Sequence, residues 1–212
     1  TPSFEIPHIM NELGRLREFT FRAVGEGTNR SMDIDEYDLY YNQLFVWDRQ
    51  EQKIVGAYRV GKGKEILRQY GVKGFYLHSL FRMNRRFVPT LRQSLELGRS
   101  FIVQEYQRRP LPLFLLWKGI LYFLLKHSEY RYLIGPVSIS NSFSQFSRGL
   151  IMQYIREHHF DARLARYVRP RTRYNVPGFN VDEEIILESA DDLNKFDRFI
   201  KDIQPNDYSM PI

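Results

Sequence analysis

Residues 94–103 read Ser-Leu-Glu-Leu-Gly-Arg-Ser-Phe-Ile-Val, an apolar strand with a glutamate, a glycine and an arginine set into it. Side chains alternate between faces along an extended chain. Leu95 and Leu97 therefore face a core, and Glu96 and Gly98 face the other side. On that alternation Arg99 points away from Glu96. A glycine inside a strand often marks a β-bulge, which shifts the alternation by one. A bulge near Gly98 would turn Arg99 back toward Glu96, splay the strand and free a backbone N–H able to receive an oxyanion.

The rest of the chain alternates helix and strand signals. Ile9, Leu13, Leu16, Phe19 and Ala23 recur near helical spacing over 9–24, and Gly25-Glu26-Gly27-Thr28-Asn29 breaks that helix. Residues 44–48, a turn over 48–52 and residues 54–60 form a hairpin pattern. Residues 75–81 are another strand candidate. Pro110 and Pro112 open a strongly apolar helix over 113–126. Its length and its interruption by Lys118 favour a buried core helix over a membrane span. Residues 130–134 form a short strand ending at Gly135-Pro136. A helix over 144–158 turns Phe146, Leu150, Ile151, Tyr154 and Ile155 inward, and 156–173 is an arginine-rich connection. A last helix over 191–203 carries Leu193, Phe196, Phe199, Ile200 and Ile203 on one face. This order predicts an α/β (α+β) fold, a mixed central sheet flanked by helices on both faces. The expected organisation is one domain over 1–180, with 181–212 an acidic helical segment of the same domain.

Charge is spread unevenly. The net charge is +6, but from Val181 onward nine acidic residues outnumber three basic ones, so the first 180 residues carry +12. A basic body of this kind commonly faces phosphate, a membrane surface or an acidic protein, with a merely solvated surface as the plain alternative. The absence of cysteine excludes disulfides and thiolate metal sites. His127 stands alone, His158-His159 are adjacent at a helix end, and His78 has no sequence partner, so no metal site is expected. Ser138, Ser140, Ser142 and Ser144 lack a Gly-x-Ser-x-Gly elbow and read as a polar loop and a helix cap. The chain opens at Thr1 without a basic-then-apolar leader pattern and ends at Tyr208-Ser209-Met210-Pro211-Ile212 without a helix stop. It reads as a piece of a longer protein or as a processed chain.

Further polar positions fall into a pattern with Glu96 and Arg99: Arg17 and Phe21 four apart, Asp35 and Asp38 three apart, and Arg59 ending a strand. In this order and spacing the chain resembles the GNAT-like N-acyltransferases of ornithine-lipid and glycine-lipid synthesis. That group is also labelled as hemolysins and is related to the acyl-homoserine-lactone synthases. Glu96-Leu97-Gly98-Arg99-Ser100 is similar to its signature. Leu116-Trp117-Lys118-Gly119-Ile120 and Leu133-Ile134-Gly135-Pro136 resemble the pattern that follows. The similarity runs from about Arg15 to Phe179. Gly25-Glu26-Gly27 stands where lactone synthases carry a tryptophan, which disfavours lactone synthesis. Leu80 and Arg82 stand where lipid N-acyltransferases often have acidic residues, which points to a different recognition of the amine.

The resemblance implies a GNAT-like fold and an acyl-ACP-dependent enzyme. The reaction would move a 3-hydroxylated fatty acyl group from the phosphopantetheine thioester of acyl carrier protein to an amino acid's α-amine, in aminolipid synthesis. Arg22-Ala23-Val24-Gly25-Glu26-Gly27 has the Gln/Arg-x-x-Gly-x-Gly/Ala spacing, but it closes the 9–24 helix instead of opening one, so open helix amides to cradle a coenzyme A pyrophosphate are not expected there. This agrees with a carrier-protein donor and no tightly bound cofactor. Carrier proteins are acidic and suit a basic surface, for which Arg82, Arg85, Arg86, Arg92, Arg108 and Arg109 are candidate contacts. Glu96 is the candidate base, with Arg99 beside it as a catalytic residue. The alternative for Glu96 is a salt bridge to Arg99 or Arg59. Arg17, Phe21, Asp35, Asp38, Arg59 and Ser100 would bind substrate. Asp35 and Asp38 either position an arginine or the amine, or cap a helix before Tyr37–Tyr41. Arg59 or Arg99 either grips the substrate carboxylate or neutralises a neighbouring acid. The resemblance also implies a cytoplasmic location, peripheral contact with the inner membrane face, and a fused or separate O-acyltransferase. The competing reading is a non-catalytic basic module. It would bind a membrane surface through 113–125, or nucleic acid through the arginines and tyrosines of 163–174. The acyltransferase reading expects no nucleic acid.

Overall fold

The structure, a computed structural model, describes residues 2–140, 143–174 and 192–203. It divides into two compact units: Thr1–Pro136 with Tyr167–Arg169, and Val137–Arg166 with Pro170–Ile212. The strands are β1 (Asn42–Asp48), β2 (Lys53–Lys62), β3 (Phe81–Met83), β4 (Ser94–Ile102), β5 (Tyr132–Ile134) and β6 (Val168–Pro170). The helices are α1 (Pro7–Ala23), α2 (Gly63–Gln69), α3 (Tyr76–Leu80), α4 (Val88–Arg92), α5 (Pro110–Lys126), α6 (Gln145–His158), α7 (Ala162–Ala165) and α8 (Leu193–Ile203).

The main sheet has the order β1-β2-β4-β5, with β3 and β6 in a separate pair. β1 and β2 are an antiparallel hairpin, as the 44–60 pattern predicts, and β2 pairs antiparallel with β4. β5 joins β4 in parallel, so the sheet is mixed. Alternation sorts the side chains into two faces. Leu44, Tyr58, Val60, Leu95 and Leu97 pack beneath Phe123 and Leu124 of α5. Phe45, Ala57 and Phe101 pack on the opposite face with Met10 and Leu13 of α1. Helices therefore cover both faces of the sheet.

α1 matches the expected helix, but its buried stripe is Met10, Leu13, Gly14, Arg17 and Thr20. Phe19 lies off that stripe and is exposed. Arg17 sits four residues after Leu13, so the stripe that buries leucine also buries a guanidinium. Two glycines permit close approach. A Cβ on Gly14 would fall 2.6 Å from Ile34, so segment 32–34 can lie directly on α1. A Cβ on Gly135 would fall 2.5 Å from the Leu97 carbonyl oxygen, where the chain leaves β5 beside β4.

Three expectations are overturned. Residues 75–81 are not a strand: α3 occupies 76–80 and only Phe81–Met83 is extended. The 113–126 helix exists as α5 but is not a buried core helix. Only Pro112, Leu116 and Ile120 are buried, and Leu111, Phe114, Leu121 and Leu125 are 60%, 62%, 56% and 73% exposed. One stripe seals one sheet face, and the helix is apolar all round, so the surplus points outward. Phe146 and Ile155, expected inward, are partly exposed, at 38% and 39%.

The second unit has its own core of Phe143, Leu150, Ile151, Tyr154, Phe196 and Ile200. Tyr154 and Phe196 stack with centroids 4.1 Å apart, tying α6 to α8. Leu193 and Phe199 pack against this core, while Ile203 is partly exposed. Ser144 caps α6 by accepting from the Ser147 N–H at 3.0 Å, as the helix-cap reading requires. Of the acidic segment 181–212, residues 181–191 and 204–212 lie outside the described residues.

Candidate active site

β4 carries the bulge that its glycine announces. Along β2, Ala57 pairs with Phe101 and Arg59 with Gly98, so the single residue Tyr58 faces two, Arg99 and Ser100. Arg99 takes a left-handed φ of 50°, rare for a residue with a side chain. The extra residue restores Arg99 to the face that holds Glu96 and Arg59. Beside it β5 pairs with β4 over Ser94, Leu95 and Glu96, while β4 runs on to Ile102. The two parallel strands thus part just after Glu96, and a Cβ on Gly98 would meet nothing within 4 Å.

Around this opening lies a buried ion network. Arg17 donates to Asp38 at 2.9 Å and to Gln43 at 2.7 Å. Arg59 donates to Asp35 at 2.5 Å and lies 3.4 Å from Asp38. Arg99 lies 2.8 Å from Asp33 and 3.4 Å from Asp35. Gln43 closes the network by donating to Asp38 and to Ser3. Tyr37, Tyr41 and Tyr76 stand against the Arg59 guanidinium, and Tyr76 also against Arg99. Burial works to raise Asp38, but Arg17 and Arg59 outweigh it and hold that carboxyl below its usual range. Burial wins at Asp33, whose carboxyl is pushed up despite Arg99 and Arg17.

Glu96 stands beside the network without an arginine of its own. It accepts a short hydrogen bond from the Tyr41 hydroxyl on Oε2, joined there by the Tyr76 N–H at 3.0 Å. The Leu77 N–H donates to Oε1 at 2.6 Å. Those two amides open α3, so Glu96 caps that helix from a distant strand. This capping explains why 75–81 is helical: the partner that rewards the first turn is not local. Burial pushes the Glu96 carboxyl up; Tyr41, the two amides and Arg59 oppose the shift without reversing it. Burial and the Glu96 charge together push the Tyr41 hydroxyl far up, so it stays a proton donor at neutral pH.

The structure gathers Arg17, Asp35, Asp38, Arg59, Glu96 and Arg99 in one place. Asp35 and Asp38 do both things expected of them. They form a capping box on the 3-10 turn Glu36–Leu39, and they pair with arginines. Glu96 is not bridged to Arg99 or Arg59 by an ion pair, and Arg99 turns to Asp33 and Asp35 instead. Phe21 belongs to the apolar cluster and meets Phe101 edge-on at 6.4 Å, outside the network. Ser100, the second bulge residue, is exposed. Asp33, Gln43, Tyr41 and Tyr76 complete the site and were not singled out from sequence. For Asp33 one signal exists: in Asp33-Ile34-Asp35 alternation puts both acids on one side of an extended segment.

Residues 16–117 match the family model described as an acetyltransferase (GNAT) domain. Over those residues the chain is GNAT-like. It is 33% identical over 215 residues to a glycine N(alpha)-acyltransferase of Bacteroides thetaiotaomicron, a match covering 96% of this chain and 60% of that protein. It is 34% identical over 166 residues to a protein of the same name from Phocaeicola vulgatus, covering 73% of this chain and 51% of that protein. The chain thus spans between about half and three-fifths of the length of these relatives. No solved structure gives a significant match.

Proposed function

We propose that this GNAT-like chain transfers a fatty acyl group from a thioester to the α-amine of an amino acid, and that glycine is the first acceptor to test. One observation carries the reading: two parallel strands part beside a bulge, with a buried, raised carboxyl and a half-open arginine at the point of divergence. The names of the two relatives support the acceptor.

The chemistry follows from charge. The three arginines and three aspartates of the network balance, which leaves Glu96 as surplus negative charge. A cationic amine entering beside Glu96 is favoured, and burial makes the carboxylate a stronger base than an exposed one. Among the described residues Oε1 accepts only the Leu77 amide, which leaves a lone pair for the amine proton. The freed nitrogen attacks the thioester carbonyl. The resulting oxyanion is met by a backbone N–H that the bulge removes from the ladder. The C–N bond forms, the C–S bond breaks, and the thiolate leaves and takes up a proton. Arg99 is the natural grip for the acceptor carboxylate, since its side chain is 22% exposed against 1% for Arg59. Arg17, Asp38 and Arg59 position rather than react.

Acyl carrier protein is the proposed donor, supported by the basic body. The proposed product class is an N-acylated amino acid destined for an aminolipid. The test supplies 3-hydroxyacyl carrier protein with glycine, serine, ornithine or lysine and identifies products by mass. N-acylglycine is expected, with Glu96→Gln slowing transfer by about 100-fold, the lower end of what a positioned base contributes. A folded protein that acylates none of the four amines would overturn the reading. A loss below tenfold in Glu96→Gln would reduce Glu96 to the cap of α3.

A further inference from the structure

The exposed side of α5 is not used by the site described above. Leu111, Leu113, Phe114, Leu115, Trp117, Leu121, Tyr122 and Leu125 are all exposed on a helix of 17 residues. Scattered surface leucines need no explanation, but a contiguous apolar face of this extent marks an interaction surface. We infer that this face is a docking surface for an anionic phospholipid membrane, along which α5 lies without crossing.

Three observations select that occupant. First, the charge along the helix and its immediate flanks has one sign, with the exposed Glu105 and Glu129 just beyond its ends. Residues 106–128 contain Arg108, Arg109, Lys118 and Lys126, and no acidic residue. All four cations are exposed. Lys126 folds to 4.6 Å from the Tyr122 ring centroid and Arg109 to 5.5 Å from that of Tyr106. Lys126 therefore flanks the apolar face, as side chains do that meet headgroups while their neighbours enter the acyl region. Second, Trp117 and Tyr122 stand among the leucines, and these two residue types favour the membrane–water interface. Third, α5 is too short to span. At about 1.5 Å per residue it is roughly 25 Å long, less than the ~30 Å of a hydrocarbon core. No described helix is long and apolar enough to cross a membrane. A second copy of the chain is a poorer occupant, because two such faces would bring four cations against four, with acids only at the margins, Glu105 and Glu129.

The inference rests on the acyl-transfer reading in one respect: a fatty N-acyl product partitions into a bilayer, so a docked enzyme releases it where it dissolves. The test is independent of that reading, since vesicle binding is measured with neither donor nor acceptor. The protein is sedimented with phosphatidylglycerol/phosphatidylethanolamine vesicles and with phosphatidylcholine vesicles. A variant carrying Phe114→Gln, Leu121→Gln and Leu125→Gln is sedimented beside it. Hydrogen exchange over 110–126 is followed in the unmodified protein with and without vesicles. The expected result is binding to the anionic vesicles, weaker binding to the neutral ones, and a loss of about tenfold or more in the variant. Vesicles should slow exchange across α5. The inference is overturned if the unmodified protein stays in the supernatant, or if exchange over 110–126 is equally slow without lipid, which would mean that protein already covers the face. It is overturned too if the protein is a dimer that the variant dissolves. Exchange in the unmodified protein decides the matter even if the variant fails to fold.

Discussion

The two faces of the main sheet invert the usual partition of a folded chain. On one, Arg17, Arg59, Asp33 and Asp38 are buried; on the other, α5 leaves most of its large apolar side chains exposed. The buried charges carry their own compensation, because every guanidinium meets a carboxylate and the carboxylates meet further donors. Burial of ions is tolerable on those terms and costly when one partner is missing. The helix has less compensation: Pro112, Leu116 and Ile120 are buried and Phe123 and Leu124 half-bury against the sheet, while its outward apolar side chains stay exposed. Polarity alone therefore does not say which side of a sheet is inside; whether each charge meets a counter-charge does.

The strongest way to break this contrast is to remove one ion. Asp38→Ala leaves Arg17 and Arg59 buried with one fewer carboxylate, and takes an acceptor from Gln43 and from the Asp35 N–H. The expected loss is about 3–5 kcal/mol in chemical unfolding. A loss below ~1 kcal/mol would show that the network is wetter than its burial indicates.

On the other face, the test is a pair. Leu116→Ala should cost about 2–5 kcal/mol, because that side chain is sealed against the sheet. Leu121→Ser, on the outer side of the same helix, should change stability by no more than ~0.5 kcal/mol. Equal losses at the two positions would mean that the outer side is covered within the protein.

How far the sequence reveals this follows from where each determinant lies. Strong periodicity and local punctuation suffice for α1, for the β1–β2 hairpin and for the existence of α5. The bulge is legible because Gly98 sits inside the strand it interrupts. α3 is not legible, because its first turn is capped by Glu96, about 20 residues away, and Tyr-Leu-His-Ser-Leu alone has no cap. Asp33 is hidden for a similar reason: its place depends on Gly14, which lets Ile34 approach α1. For α5, length separates a spanning helix from a non-spanning one but cannot separate buried from exposed, since both are apolar. The site residues Arg17, Asp35, Asp38, Arg59, Glu96 and Arg99 emerge only as an ordered set; singly, each also fits a surface ion pair.

A smaller effect probes the strand divergence. Gly135→Ala forces a methyl against the Leu97 carbonyl and should cost about 1–3 kcal/mol. Gly98→Ala adds a methyl to open space and should leave the unfolding midpoint nearly unchanged. It should nevertheless slow acyl transfer, because that space is the mouth between β4 and β5. An unfolding midpoint lowered as much by Gly98→Ala as by Gly135→Ala would mean that the strands do not part there.

The smallest expected effect is a pH dependence, and its sign tests whether Glu96 belongs with the compensated charges or apart from them. Burial raises the folded Glu96 carboxyl above its ordinary 4.5. Between the ordinary and the raised value the folded chain holds more protons than the unfolded one, so this group's contribution is present in acid and lost as pH rises through the folded value. Asp38, held low by Arg17 and Arg59, contributes with the opposite sign, but it is shared by any variant at position 96 and cancels. Glu96→Gln removes the raised group and keeps an acceptor for the α3 amides. The difference in melting temperature between the unmodified protein and this variant should therefore move in the variant's favour as pH rises from about 4 toward neutrality. A difference that moves the other way would mean that Tyr41 and the two amides outweigh burial, leaving Glu96 as firmly compensated as the aspartates and too weak a base for the proposed chemistry.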